Sequence, residues 1–193
     1  MLFCSSVAMA IFGLSGTLAA PARRSIVPIN GDCTTPSGPV PAATVSDIVR
    51  FVGWSGAAYG NASSIESWTC PRCDEAPMLD NITVIEGSSF LDINAFQLEQ
   101  AFIGVDNERQ NIVVSFRGTI QTVADWLNDF DAVFVSADYL VSGALISQGM
   151  SKAYESVREK VTASLQDYVS ANPGFTISFT GHSLGGGKLF PST

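Results

Sequence analysis

A serine flanked by glycines stands near the end of the sequence, directly after a strand pattern. Residues 175–180 alternate apolar and polar side chains, which predicts a buried β-strand. Residues 181–185, G-H-S-L-G, follow at once and match G-x-S-x-G. In a nucleophile elbow the serine hydroxyl stands on a strained turn above the sheet, and the flanking glycines avoid backbone clashes. We therefore predict that Ser183 is a nucleophile. The alternative is a Gly-rich turn that carries an ordinary exposed serine.

A serine nucleophile needs a base, usually a histidine that a carboxylate orients. The sequence contains one histidine, His182, directly before Ser183. Adjacent side chains on a sharp turn diverge, so we expect His182, with Gly181 and Gly185, to shape the elbow and not to act as the base. In folds with this elbow the acid and the histidine follow the serine, yet the ten residues after Ser183 contain no Asp, Glu or His. The sequence thus predicts a nucleophile without the Asp and His of a triad.

Two donors are candidates for an oxyanion hole. The tripeptide R-G-T at 117–119 follows a β-branched run in residues 111–116, which predicts a strand covered on both faces. An ester carbonyl under attack becomes an oxyanion and needs donors aimed at it. The N–H of Leu184, next to the nucleophile, is one candidate, and Thr119 could supply its N–H and its hydroxyl. The alternative for 117–119 is an ordinary turn at a strand end.

The segment after this tripeptide has an apolar helical face. The functional interpretation is a mobile cover over the site, with a tryptophan near the acyl pocket. The structural interpretation is a short helix packed permanently on the sheet, and both remain open. The side chains on this face are Val123, Trp126, Leu127 and Phe130.

The other predicted elements form a framework of strands and helices. A long helix leads directly into the elbow strand, which is the β-α-β order of a parallel sheet. We therefore predict an α/β fold with a mostly parallel central sheet and flanking helices. In chain order these elements are a helix at Thr44–Tyr59, a strand at Asn81–Glu86, a hairpin of Ala101–Val105 with Asn111–Phe116, and a helix at Met150–Val169.

The first predicted helix carries bulky apolar residues at helical spacing. Thr44 is the predicted N-cap. The residues expected to share one broad face are Ile48, Phe51, Val52 and Tyr59.

Composition and leader sequence favour export. The 193 residues suffice for one domain, and the net charge of −8 argues against nucleic acid or an anionic membrane as partner. Residues 1–20 are apolar and end in small residues, which is typical of a signal peptide; the alternative is a membrane anchor. Residues 21–43, rich in Pro, Gly, Ser and Thr, predict a propeptide or extended arm. We expect the N-terminal part of a catalytic domain over 44–193, an extracellular location, and no membrane span once the leader is removed.

The cysteines and two N-glycosylation sequences also favour secretion. Cys70 and Cys73 form a C-x-x-C, which could be a redox pair, half a zinc site or a short disulfide. The disulfide is favoured in an oxidising compartment, and no second C-x-x-C supports a metal. Cys33 is left over and indicates a missing partner. Asn61 and Asn81 begin N-x-S/T sequences and are predicted glycosylation sites.

Together these stretches resemble the fungal class 3 lipase family, whose members are secreted triacylglycerol lipases and feruloyl esterases. The resemblance implies an α/β-hydrolase fold and ester hydrolysis, with Ser183 as nucleophile, Thr119 and Leu184 as oxyanion hole and a lid after Thr119. The sequence departs from the family pattern after Gly186, so we expect a chain truncated after the elbow. The stretches that carry the resemblance are I-V-V-S-F-R-G-T (112–119), D-W-L-N-D (125–129), A-Y-E-S-V (153–157), F-T-G-H-S-L-G-G (179–186) and W-T-C-P-R-C (68–73).

The favoured hypothesis is hydrolysis of triacylglycerol-type esters at an oil–water interface, through an acyl-enzyme on Ser183 and without metal or organic cofactor. The apolar predicted cover favours lipid over a feruloyl or aryl ester, which is the first alternative. The second alternative is a catalytically dead fragment or lipid-surface binder, which the lack of a usable histidine supports.

Overall fold

The computed structural model describes residues 11–12, 39–89, 98–118, 134–136 and 142–187. A 3₁₀ turn at Cys73–Glu75 lies between the second helix and the second strand. The helices and strands, in chain order, are β1 (Ile11–Phe12), α1 (Ala42–Ala57), α2 (Ala62–Glu66), β2 (Asp80–Ser89), β3 (Leu98–Asp106), β4 (Asn111–Phe116), β5 (Phe134–Ser136), β6 (Leu145–Ser147), α3 (Gln148–Ala171), β7 (Thr176–Gly181) and α4 (Leu184–Gly187).

The main sheet has five strands in the order β1-β7-β4-β3-β2, and β5 pairs with β6 separately. Only β4 and β7 pair in parallel among the described strands; β1–β7, β3–β4 and β2–β3 are antiparallel. The described part of the sheet is therefore mixed, where the sequence led us to expect a mostly parallel one. The reason is connection length: the short turn between β3 and β4 can join only antiparallel neighbours, whereas the crossover through α3 permits a parallel pair.

The central strand β4 is buried along its whole length, as its β-branched run predicted. Ile112, Val114 and Phe116 point to one face, where they pack with side chains of α3. Val113 points to the other face, into a cluster that contains Trp54 of α1. Two separate apolar cores therefore lie on opposite faces of one sheet.

The helix α1 packs through a face that the periodicity of bulky residues did not predict. Trp54 and Ala57 are buried, whereas Ile48 and Val52 are 41% and 63% exposed. The buried face consists of Trp54 with the small residues Gly53, Ser55 and Ala57, and the packing of this face overrides the spacing of the other bulky residues. The predicted N-cap is also wrong, because α1 begins at Ala42 and Thr44 lies inside it.

The long helix α3 confirms the prediction made from its apolar spacing. Ala153, Tyr154, Val157 and Val161 are buried against the sheet. At its C-terminal end Asn172 closes the last turn, because its N–H and its side-chain amide both donate to the carbonyl of residue 168, at 3.0 and 2.8 Å.

The predicted leader (1–20), arm (21–43) and Cys33 lie outside the described residues, apart from β1 and residues 39–43. The domain boundaries proposed from the sequence therefore stay predictions. Within the described parts of the chain, no helix is both long and apolar enough to cross a membrane.

Candidate active site

The predicted nucleophile lies at a strand–turn–helix junction. The strand β7 ends at Gly181 and α4 begins at Leu184, with only two residues between them. Ser183 has a φ of +58° and is exposed. Residues with a Cβ rarely adopt this left-handed conformation, and such outliers cluster at functional sites. The turn therefore presents the Ser183 hydroxyl to solvent at the carboxyl end of β7.

Two glycines of the elbow make room for backbone. A Cβ on Gly185 would run into the carbonyl of Phe116, and a Cβ on Gly181 would run into the backbone of Gly185. A larger residue at position 185 would push α4 away from the end of β4, and one at position 181 would push it away from the end of β7. The G-x-S-x-G spacing thus corresponds to the close packing of the α4 backbone on the parallel strand pair.

The side chain of His182 faces the end of α1. Its Nδ1 lies 2.9 Å from the Oη of Tyr59, and the two rings are 6.0 Å apart. This contact supports a structural part for His182 in the elbow. Tyr59 was not among the site residues predicted from the sequence, because nothing local distinguishes it from the apolar side chains of the helix before it.

The polar face of β7 is more buried than its apolar face. Ser178 and Thr180 are 5% and 8% exposed, whereas Ile177 and Phe179 are only half-buried. The Oγ1 of Thr180 lies 2.6 Å from the Oγ of Ser55 in α1. The α1 helix covers this face through hydroxyl contacts, which the alternation pattern of the sequence could not reveal.

A buried polar network connects the end of β4 to the loop after α1. Arg117 donates from Nη1 to the Oε1 of Gln100 at 3.2 Å. The Nε2 of Gln100 donates to the carbonyls of Ala58 and Gly60 at 3.0 and 2.9 Å. Burial lowers the pKa of the Arg117 guanidinium, and the carboxylate of Glu99 opposes that effect. The network therefore holds the loop around residue 59 against β3. Through Arg117 it also connects this loop to the chain just before the predicted oxyanion donor.

Part of the predicted machinery lies outside the described residues: Thr119 of the oxyanion hole and the cover residues Val123, Trp126, Leu127 and Phe130. Gly118, directly before the predicted donor, is described and buried. Leu184 is 4% exposed at the start of α4. The oxyanion and lid assignments stay predictions.

The C-x-x-C is a disulfide in the structure. Cys70 and Cys73 belong to the core cluster on the α1 face of the sheet, together with Trp54. The predicted glycosylation sites are both exposed, and Asn61 also caps α2 through its Oδ1. Across the described parts of the chain, no three His, Cys, Asp or Glu side chains lie close enough together to hold a metal ion.

Solved structures of lipases share this fold. The triacylglyceride lipase of Rhizomucor miehei matches with a TM-score of 0.66 at 22% identity, over 79% of this chain and 55% of that chain. Lipase II from Rhizopus niveus matches with a TM-score of 0.62, over 77% of this chain and 54% of that chain, at 22% identity. The chain therefore has the α/β-hydrolase fold, as the resemblance to class 3 lipases implied.

Sequence comparison narrows the class. Residues 113–188 match the family described as lipase (class 3). The secreted mono- and diacylglycerol lipase 1 of Fusarium solani is 40% identical over 86 residues, which are 45% of this chain and 25% of that protein. A lipase of Rhizopus oryzae is 30% identical over 161 residues, 78% of this chain and 38% of that protein. The matched residues therefore belong to the class 3 lipase family, and the chain spans less than half the length of these curated relatives.

Proposed function

We propose that this chain carries the nucleophile of a serine carboxyl-ester hydrolase that acts on acylglycerol lipids. The observation that carries the proposal is the exposed Ser183 at a φ of +58°, between a parallel strand and a helix packed on the end of β4. A strained serine in this position is the hallmark of a nucleophile elbow.

The chemistry follows from the elbow. The Ser183 Oγ attacks the ester carbonyl. The oxyanion that forms is stabilised by the N–H of Leu184 and by the N–H and hydroxyl of Thr119. The alcohol then leaves. Water then hydrolyses the acyl-enzyme. The proton of Ser183 needs a base, and the one histidine of the sequence is His182, whose Nδ1 contacts Tyr59. Hydrolysis by this chain is therefore the property to measure first.

The substrate class and location are proposals that rest on relatives. The Fusarium solani relative is named a secreted mono- and diacylglycerol lipase, and a Penicillium cyclopium relative is named a secreted alkaline triacylglycerol lipase. The predicted apolar cover at 120–130 fits a lipid at an oil–water interface. Residues 1–20 fit a leader for secretion, so we propose that the protein is extracellular.

The test is an ester-hydrolysis assay on the purified chain beside Ser183→Ala, with Ser170→Ala on the exposed end of α3 as a matched control. We expect release of p-nitrophenol from p-nitrophenyl butyrate to disappear in Ser183→Ala and to persist in Ser170→Ala. Equal rates in all three proteins would contradict the proposal. Tributyrin emulsion and methyl ferulate, compared in the same assay, separate the lipase hypothesis from the aryl-esterase alternative.

A further inference from the structure

Tyr59 lies where three separate segments of the chain meet. It follows α1 by two positions, and its N–H donates to the carbonyl of Gly56 at 3.2 Å. Its phenol Oη lies 2.9 Å from the Nδ1 of His182, in the turn that carries the proposed nucleophile. The two residues are 123 positions apart in the sequence, so the fold alone brings them together.

The same oxygen also lies against the backbone at the end of β4. A Cβ added to Gly118 would collide with that oxygen and with the carbonyl of His182. The backbone after β4, the Tyr59 phenol and the elbow are therefore in direct contact, and a side chain at position 118 would separate them.

The contact between Tyr59 and His182 can carry a hydrogen bond from the phenol to the ring. Burial raises the pKa of the Tyr59 phenol, so the phenol keeps its proton at neutral pH. That single proton can be donated to the Nδ1 of His182. An imidazole that accepts at Nδ1 carries its own proton on Nε2 when neutral. A phenol that donates here therefore goes with one tautomer of His182, which a measurement can detect.

Both sides of Tyr59 are anchored to β3, the strand beside the one that leads to Gly118. Gln100, 2% exposed, donates to the carbonyls of Ala58 and Gly60, the residues directly before and after Tyr59. The same Gln100 accepts from the side chain of Arg117, and its carbonyl accepts the N–H of Arg117 at 2.9 Å. Buried hydrogen bonds from Gln100 thus hold the backbone directly before and after Tyr59.

We propose that Tyr59 is a positioning residue of the ester-hydrolysis site, whose phenol donates to the Nδ1 of His182 while its oxygen packs against Gly118, and so fixes the two backbone segments against each other. One segment leads to Thr119 and the other to Leu184. The proposal rests on the proposed function, because these two residues are its oxyanion donors. Two donors from different segments act together only if the separation of their backbones is fixed.

The first test is NMR of the single histidine, which gives one set of imidazole signals. In alkaline buffer we expect the wild-type nitrogen shifts to show the Nε2–H tautomer and the Gly118 amide to exchange slowly. In Tyr59→Phe, which keeps the ring and removes the oxygen, we expect mixed tautomers and at least about tenfold faster exchange of the Gly118 amide. Tyr168→Phe is the matched control, because it removes another half-buried phenol whose Oη lies 2.9 Å from the Oγ1 of Thr83.

The second test uses p-nitrophenyl butyrate hydrolysis. We expect Tyr59→Phe to lower kcat about 10- to 100-fold with little change in KM, since the oxyanion forms only during reaction. Unchanged histidine shifts and Gly118 exchange in Tyr59→Phe would contradict any role of the Tyr59 oxygen in fixing the two segments. Changed NMR signals with an unchanged kcat would overturn the positioning role. A wild-type chain without Ser183-dependent turnover would contradict the proposed function alone, because the NMR readouts use no substrate.

Discussion

The two faces of the sheet in this protein hold their helices by different physical means. On the α3 face, β4 presents Ile112, Val114 and Phe116 to an apolar cluster with Val157 and Val161. On the α1 face, buried polar groups stand beside the apolar cluster. The hydrogen bonds on that face run from the Ser115 Oγ to the Trp54 carbonyl at 3.0 Å, between Ser55 and Thr180, and from Gln100 to the loop after α1.

The two faces therefore contribute differently: one mainly stabilises the fold, and the other fixes the position of backbone segments near the site. Apolar contacts have no preferred direction, so the α3 face contributes mainly free energy of folding. Hydrogen bonds specify distance and angle, so the α1 face fixes where the chain leaves α1 and where β7 ends. Tyr59 and the elbow both lie on the α1 side of this division. Changes on the α3 face should therefore alter stability, and changes on the α1 face should also alter the site.

The largest expected effect is on the α3 face. Ile112 is fully buried, so Ile112→Ala should lower the free energy of unfolding by about 2–5 kcal/mol through lost burial and the cavity left behind. Urea unfolding followed by fluorescence measures this loss, and Ile112→Val, at about 0.5–1.5 kcal/mol, is the graded control. The His182 nitrogen shifts of the folded fraction should stay as in wild type. A changed tautomer in this variant would contradict the separation of the two faces.

A smaller loss of stability is expected from Gln100→Met on the α1 face. The substitution keeps the side-chain length and leaves the buried carbonyls of Ala58 and Gly60 without this donor. We expect a loss of about 1–3 kcal/mol in the free energy of unfolding. Amide exchange at Gly118 should also accelerate, because the loop that holds Tyr59 is released. Gln166→Met, at an exposed position of α3, controls for the substitution itself. If the Gly118 amide of Gln100→Met exchanged as slowly as in wild type, the proposed difference between the two faces would be contradicted.

The smallest effect is expected where α1 meets the β3–β4 turn at the surface. Arg50 donates to Glu108 at 2.5 Å, and this hydrogen bond, with the charge of Arg50, lowers the pKa of the Glu108 carboxyl. A carboxylate with a lowered folded-state pKa stabilises the protein above its unfolded pKa, and this stabilisation is lost as the pH falls through the folded value. Glu108→Gln should therefore lower the urea midpoint slightly at pH 7 and hardly at all in acid.

Because Glu108 is exposed, added salt should also shrink the difference between Glu108→Gln and wild type. The matched control is Glu66→Gln at an exposed position of α2. A difference from wild type that persists in acid or in high salt would mean that the substitution acts through something other than this ion pair.

Local sequence determined the elements whose signals are contiguous. The β3–β4 hairpin, the long α3 helix and the strand–turn–helix at Ser183 are confirmed as elements of the fold, because periodicity and turn residues act over a few neighbouring positions. The G-x-S-x-G and its companion stretches also identified the family. The sequence misled us about α1, because Ile48 and Val52 of the predicted face are exposed, while Trp54 and its small neighbours form the buried face.

Tertiary structure alone decided which of these elements meet, and how. Tyr59, the β3–β4 hairpin with Gln100 and Arg117, and His182 are brought together from three distant parts of the chain. No local pattern links a tyrosine after α1 to a histidine in the elbow. The greater burial of the polar face of β7 is likewise a property of the α1 surface that covers it. Hydrogen bonds between distant residues depend on the folded path of the backbone, and residue type and local spacing do not encode that path on their own.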